Sequence, residues 1–219
     1  MAATKGQRIG IWIIAIALVV GTIGSFMIMV LANDNQQVLQ ERQNELTAEY
    51  QKEIDAYEAE VAAQADDLSD TYYEQFSGYT SRATSFDEAA VTELTTTDIV
   101  VGDGEVITPE SSFTAYYIGW NPDGTIFDSS IDGESLKAPF DVTPGGVITG
   151  WTEGTDGMKV GGVRELTIPS ELAYGERGSG DLIAPNTPLK FIVMVVPTPA
   201  IIEQPQASEE LLQLLYSTR

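Results

Sequence analysis

Val147–Ile183 reads VITGWTEGTDGMKVGGVRELTIPSELAYGERGSGDLI, and the fold turns on how this stretch is read. Its glycines, from Gly150 and Gly154 to Gly178 and Gly180, cut it into very short elements joined by tight turns. Between them sit Ile148, Trp151, Met158, Leu166, Ile168, Tyr174 and Ile183, enough apolar and aromatic bulk to line a compact pocket. A solvated loop would not carry a Trp and a Tyr in this way.

Working outward, the chain from Asp98 onward alternates β-like runs with Gly and Pro. Ile99–Val101, Ser112–Trp120, Val163–Ile168 and Leu189–Val196 are the expected strands. In the last, Leu189, Phe191, Val193 and Val195 share one face and Ile192, Met194 and Val196 the other, the pattern of a central strand buried on both sides. Asn121-Pro-Asp-Gly124 is a turn signal. One or two helical turns are expected after Ile148. The fold class is therefore α+β, an antiparallel sheet wrapped around one short helix.

Composition removes whole classes of chemistry. The chain has 219 residues, no Cys and no His, so disulfides, thiolate nucleophiles, catalytic triads and zinc sites are excluded. No metal and no cofactor is expected. A net charge of −22 argues against nucleic acid as a partner.

Toward the N-terminus, Ile9–Ala32 is uncharged and follows Lys5 and Arg8. At about 1.5 Å per residue it reaches roughly 36 Å, enough to cross a hydrocarbon core of about 30 Å. Residues 1–8 are then a cytoplasmic N-terminus and 9–32 a transmembrane signal anchor, with 9 basic and 33 acidic residues beyond it. A secreted form cleaved after Val30-Leu31-Ala32 is the alternative. Residues 33–77 lack Pro and Gly and place Leu39, Leu46, Tyr50, Ile54, Tyr57, Val61, Ala65, Leu68 and Tyr72 at three- and four-residue steps. This is a helical stalk, with a coiled-coil homodimer through it as the sharper alternative. Residues 78–97 are expected as a hinge. Residues 198–219 form a Pro-containing linker and a short helix near Ser208–Tyr216, with Ser208 as N-cap.

The motifs YIGWNPDGTIFDSS, PFDV, VITGW, GMKVGG, LTIPSELAYGERG and LIAPNTPLKF follow one another between Tyr117 and Phe191. In this order they resemble the FKBP-type peptidyl-prolyl cis-trans isomerases, over residues 98–197. The resemblance implies a pocket floored by Trp151 and walled by Tyr117, Phe127, Phe140, Val147, Ile148 and Phe191. It places Tyr174, Leu182 and Ile183 at the rim and Asp128 inside as the one carboxylate. The Tyr174 hydroxyl and the Ile148 amide are the implied donors to substrate carbonyls, and Asp128 orients its neighbours. Three features depart from the best-known members: Ile131–Ala138 is longer and leaves the cation partner of Asp128 unassigned, Lys137 being the nearest; Ser179 lies where some members carry a histidine; and Trp120 is bulkier than usual. The expected partners are proline-containing polypeptides among exported proteins. A client-holding chaperone that uses the same pocket without turnover is the alternative function.

Overall fold

The computed structural model describes residues 34–217. Ile9–Ala32, expected as a membrane span, lies outside them. Among the described residues no helix is long and apolar enough to cross a membrane. The helices are α1 (Asp34–Ser77), α2 (Thr149–Gly154) and α3 (Glu209–Ser217). The strands are β1 (Thr95–Val100), β2 (Phe113–Trp120), β3 (Ile126–Ser129), β4 (Ile131–Asp132), β5 (Ser135–Leu136), β6 (Phe140–Val142), β7 (Val163–Ile168) and β8 (Leu189–Val196). These residues divide into two compact units, 34–58 with 203–217, and 59–202.

In the first unit, Leu46, Ile54 and Leu211 are buried. The stripe proposed as a dimer seam is thus already covered within one chain at Leu46 and Ile54. Arg42 donates from Nε and Nη2 to both carboxylate oxygens of Glu210 at 2.9 Å, and from Nη1 to Glu45. That bidentate pair holds the Glu210 carboxyl below its ordinary value. Both partners face water, so the pair fixes register more than it stabilises. Ser208 Oγ accepts the Leu211 amide at 3.2 Å and caps α3 as expected. Glu41, Glu45, Glu49 and Glu53 all face solvent.

The second unit is built on a six-stranded antiparallel sheet in the order β1-β7-β8-β2-β3, with β6 also pairing β2. The four expected strands are present. Strand β1 begins at Thr95, earlier than the sequence suggested, because three β-branched threonines extend its pairing with β7 from Thr95↔Thr167 onward. Strands β3 to β6 are too short to show a period of their own.

Strands β2 and β8 are buried on both faces. On one face, Phe191, Val193 and Val195 pack with Trp151, Leu166, Ile168 and Met158. Helix α2 lies directly on β7: a Cβ on Gly150 would stand 2.3 Å from Ile168 Cγ2, so only glycine allows this approach.

On the opposite face, Tyr116, Ile118, Trp120, Ile192, Met194 and Val196 form a second core with Phe76, which is fully buried. Tyr72, Tyr73, Tyr79 and Phe86 complete the cover. This corrects the hinge expected over residues 78–97. That segment folds as short 3₁₀ turns at Gly78–Arg82 and Glu88–Ala90 and is tied to the sheet. Trp120 Nε1 donates to Thr84 O at 3.2 Å, and the Phe86 amide donates to Pro122 O at 2.9 Å. Arg82 and Lys190 both bind Glu165. Burial alone would raise the Glu165 carboxyl, but these two cations overcome it and hold the group below its usual range. The compact unit therefore begins well before residue 98. Trp120 is large because it fills this second core.

Candidate active site

Between β2, β3, α2 and β8 lies a cavity of about 370 Å³. Its lining comprises Tyr117, Phe127, Asp128, Phe140, Gly145, Gly146, Val147, Ile148, Trp151, Tyr174 and Phe191. The strand period puts Tyr117 on this face and sends Tyr116 to the other. Trp151 projects from the middle of α2 and is 4% exposed. Its ring meets Phe191 at 5.4 Å, Tyr117 at 5.5 Å and Phe140 at 6.3 Å, all edge to face. Phe127 closes the far wall against Phe191 at 5.6 Å. Edge-to-face pairs like these are each worth about 0.5–1.5 kcal/mol beyond the area they bury. The rings hold one another, so the cavity is preformed.

Gly119 makes room for this arrangement. A Cβ there would stand 2.6 Å from both Phe127 Cζ and Phe191 Cε1. The β2–β3 pairing slips beside it, between Gly119↔Asp128 and Trp120↔Ile126, and Phe127 occupies the irregularity. Such a bulge re-aims a side chain next to a site.

The polar part of the cavity is small. Tyr117 donates its hydroxyl to Asp128 Oδ2 at 2.5 Å, and the Ser129 amide donates to Oδ1 at 2.8 Å. Lys137 Nζ lies 3.6 Å from the same Oδ1 and donates to Ser129 O. Lys137 is therefore the cation beside Asp128 that the sequence left unassigned. Burial raises the Tyr117 phenol well above its ordinary pKa, reinforced by the hydrogen bond to Asp128 and by its negative charge. Tyr117 is held neutral and Asp128 is held in place. Ile148 caps α2 in an extended conformation, and its carbonyl accepts the Trp151 amide at 2.9 Å. Among the described residues its own N–H has no acceptor and remains available to a ligand. Tyr174 is 39% exposed at the mouth.

Nine of the eleven residues expected in the site line this cavity. Leu182 and Ile183 do not. Ser179 and Ile183 exchange backbone hydrogen bonds at 2.9 and 3.1 Å, which closes the loop into a small hairpin. Ile183 is thereby buried in the core at 5% exposure, while Leu182 points out at 63%. The Leu182 carbonyl accepts from Asn121 Nδ2 at 2.8 Å. Gly145 and Gly146 were not foreseen, because backbone that lines a cavity leaves no side-chain signal.

A preformed apolar cavity with one fixed carboxylate and an open amide at Ile148 suits an enzyme that distorts a bound peptide without covalent chemistry. The comparisons with known proteins agree. The sequence model described as FKBP-type peptidyl-prolyl cis-trans isomerase matches residues 104–196. An FK506-binding protein of Neisseria meningitidis is 46% identical over 98 residues, 44% of this chain and 87% of that protein. A probable FK506-binding protein of Corynebacterium glutamicum is 42% identical over 106 residues, 48% of this chain and 86% of that protein. A probable FKBP-type peptidyl-prolyl cis-trans isomerase FkpA, also of Neisseria meningitidis, is 43% identical over 95 residues, 43% of this chain and 34% of its own length. This chain belongs to the FKBP-type family and is a peptidyl-prolyl cis-trans isomerase.

The Tyr117–Asp128 contact makes a testable statement about titration. On raising the pH, Tyr117 is expected to stay protonated beyond the ordinary tyrosine pKa of about 10. In Asp128→Ala it is expected to ionise at lower pH than in the wild type. Ring-carbon chemical shifts of Tyr117 followed by NMR check both. An unchanged midpoint in the variant would mean that Asp128 does not hold the phenol.

Proposed function

We propose that this chain rotates X-Pro bonds of exported polypeptides by seating the proline against Trp151, and that it works from a membrane anchor. The observation that carries the site assignment is the preformed aromatic cavity with a free Ile148 amide at its wall. The X-Pro bond is planar because nitrogen and carbonyl are conjugated, and rotation of a peptide bond faces a barrier of about 18–20 kcal/mol. Twisting breaks the conjugation and leaves a less dipolar carbonyl and a pyramidal nitrogen. An apolar pocket that excludes water favours this twisted form over the planar amide.

In this reading Trp151, Phe191, Phe127 and Tyr117 hold the ring, with Val147 and Phe140 beside them. The Ile148 amide and the Tyr174 hydroxyl bind the carbonyls that flank it. Asp128 orients Tyr117 and sets the local field; it takes no proton. Each tenfold in rate needs only about 1.4 kcal/mol of preference for the twisted state. No metal or cofactor enters. Asp128→Ala and Phe191→Ala are each expected to lower kcat/KM by about tenfold or more, the effect of losing some 1.4 kcal/mol of that preference. Exchange spectroscopy on a Pro-containing peptide with the full chain measures this directly. Variants that remain folded and retain wild-type rates would refute the site assignment. A wild-type chain that binds the peptide without accelerating exchange would favour the client-holding alternative.

The anchor and the extracytoplasmic location rest on sequence: the uncharged run Ile9–Ala32, the cations Lys5 and Arg8 before it, and the acidic chain after it. The chain is expected to stay with membranes under alkaline extraction and to leave its C-terminal part open to protease on the side opposite the N-terminus. Release of a shortened chain would instead identify a cleaved signal. A homodimer through α1 stays outside the proposal, since Leu46 and Ile54 are already buried in one chain.

A further inference from the structure

Between Asp128 and Phe140 the chain leaves the sheet and makes the small hairpin β4–β5, paired Ile131↔Leu136 and Asp132↔Ser135. Two residues on each strand are too few to hold a hairpin by themselves. Helix α1 touches it at two polar points. Ser69 Oγ accepts the Leu136 amide at 2.8 Å, with Ser69 itself 5% exposed and Leu136 4% exposed. Tyr73 donates its hydroxyl to Gly133 O at 3.2 Å, at the tip of the hairpin. Without the Ser69 oxygen, the buried Leu136 amide would lose this acceptor, a costly state for a backbone donor.

The residue after Leu136 is Lys137. Its amide donates to Ser130 O at 2.8 Å, and its ammonium group lies between Ser129 O and Asp128 Oδ1. The path from α1 to the cavity is therefore short: Ser69 fixes Leu136, Leu136 sets Lys137, and Lys137 faces the carboxylate that orients Tyr117. We propose that Ser69, supported by Tyr73, is a positioning residue for the isomerase site. It acts through β4–β5 and Lys137 on Asp128. The end of the stalk helix is then part of the catalytic apparatus as well as a cover for the sheet. This inference rests on the role given to Asp128 above.

The test compares Ser69→Ala, Tyr73→Phe, Phe86→Leu and Asp128→Ala in the full chain, by exchange kinetics and by the backbone amide shifts of Ser129 and Lys137. Phe86 covers the same sheet face, with its amide on Pro122 O at 2.9 Å and its ring 5.4 Å beneath Lys190 Nζ, and makes neither of the two polar contacts to the hairpin, so Phe86→Leu controls for general destabilisation. Ser69→Ala is expected to lower kcat by about fivefold, the scale of one neutral hydrogen bond. It should also shift both amides, while Phe86→Leu leaves kcat and the amides in place. A folded Ser69→Ala chain with wild-type kcat would overturn the proposal, as would a loss of kcat with the Ser129 amide unmoved. An equal loss in Phe86→Leu would do the same, by showing destabilisation alone. Where Ser69→Ala does not fold, Tyr73→Phe is read by the same criteria. Wild-type kcat in Asp128→Ala would instead refute the role of Asp128, while the amide shifts would still report whether α1 positions it.

Discussion

Strands β2 and β8 are buried on both faces, and every other feature of the isomerase unit answers to that constraint. A strand has one side-chain period, so what faces the cavity fixes what must be covered behind it. Tyr117 and Phe191 look into the cavity; Tyr116 and Ile192, their chain neighbours, look out. Burying a large apolar side chain is worth about 1.5–3 kcal/mol, and the outward face carries Tyr116, Ile118, Trp120, Ile192, Met194 and Val196. Left to water, that face would destabilise the sheet and expose a large apolar patch. The end of α1 and the turns after it supply the cover, with Phe76 at their centre.

The cavity face uses the same rigidity for chemistry. Five edge-to-face contacts lock Tyr117, Phe127, Phe140, Trp151 and Phe191 against one another. A site that lowers a rotation barrier through shape and dryness depends on such preorganisation more than on any titrating group. The absence of His and Cys from the sequence therefore fits the activity. The polar groups at the cavity are few: the Tyr117–Asp128 pair, the Tyr174 side chain at the mouth and the open amide at the start of α2.

Much of this was legible in the sequence, for reasons that can be named. The glycine spacing around Trp151 marks a short helix pressed onto a sheet, and the alternation from Leu189 to Val196 marks a strand with two buried sides. Residues fixed by strand period or by α2, such as Tyr117, Phe127, Ile148, Trp151 and Phe191, fell where expected. Leu182 and Ile183 did not, because a loop has no period to say which of two adjacent apolar residues faces inward. The hinge was misjudged for a related reason. Tyr79, Ala83 and Phe86 sit among Ser, Thr and Gly at irregular spacing, and only their packing against distant strands shows that they are partly buried. Trp120 carried the missing signal: an unusually large residue on an outward-facing strand position implies a partner layer. The membrane anchor remains a reading of composition alone.

The central claim is that the proline ring is held against Trp151 and Phe191 while its bond rotates. Intermolecular NOEs between an exchanging X-Pro peptide and the full chain test it most directly. The account predicts contacts from the proline ring protons to the Trp151 indole and to the Phe191 ring. Accelerated exchange with proline contacts confined to another surface would contradict it.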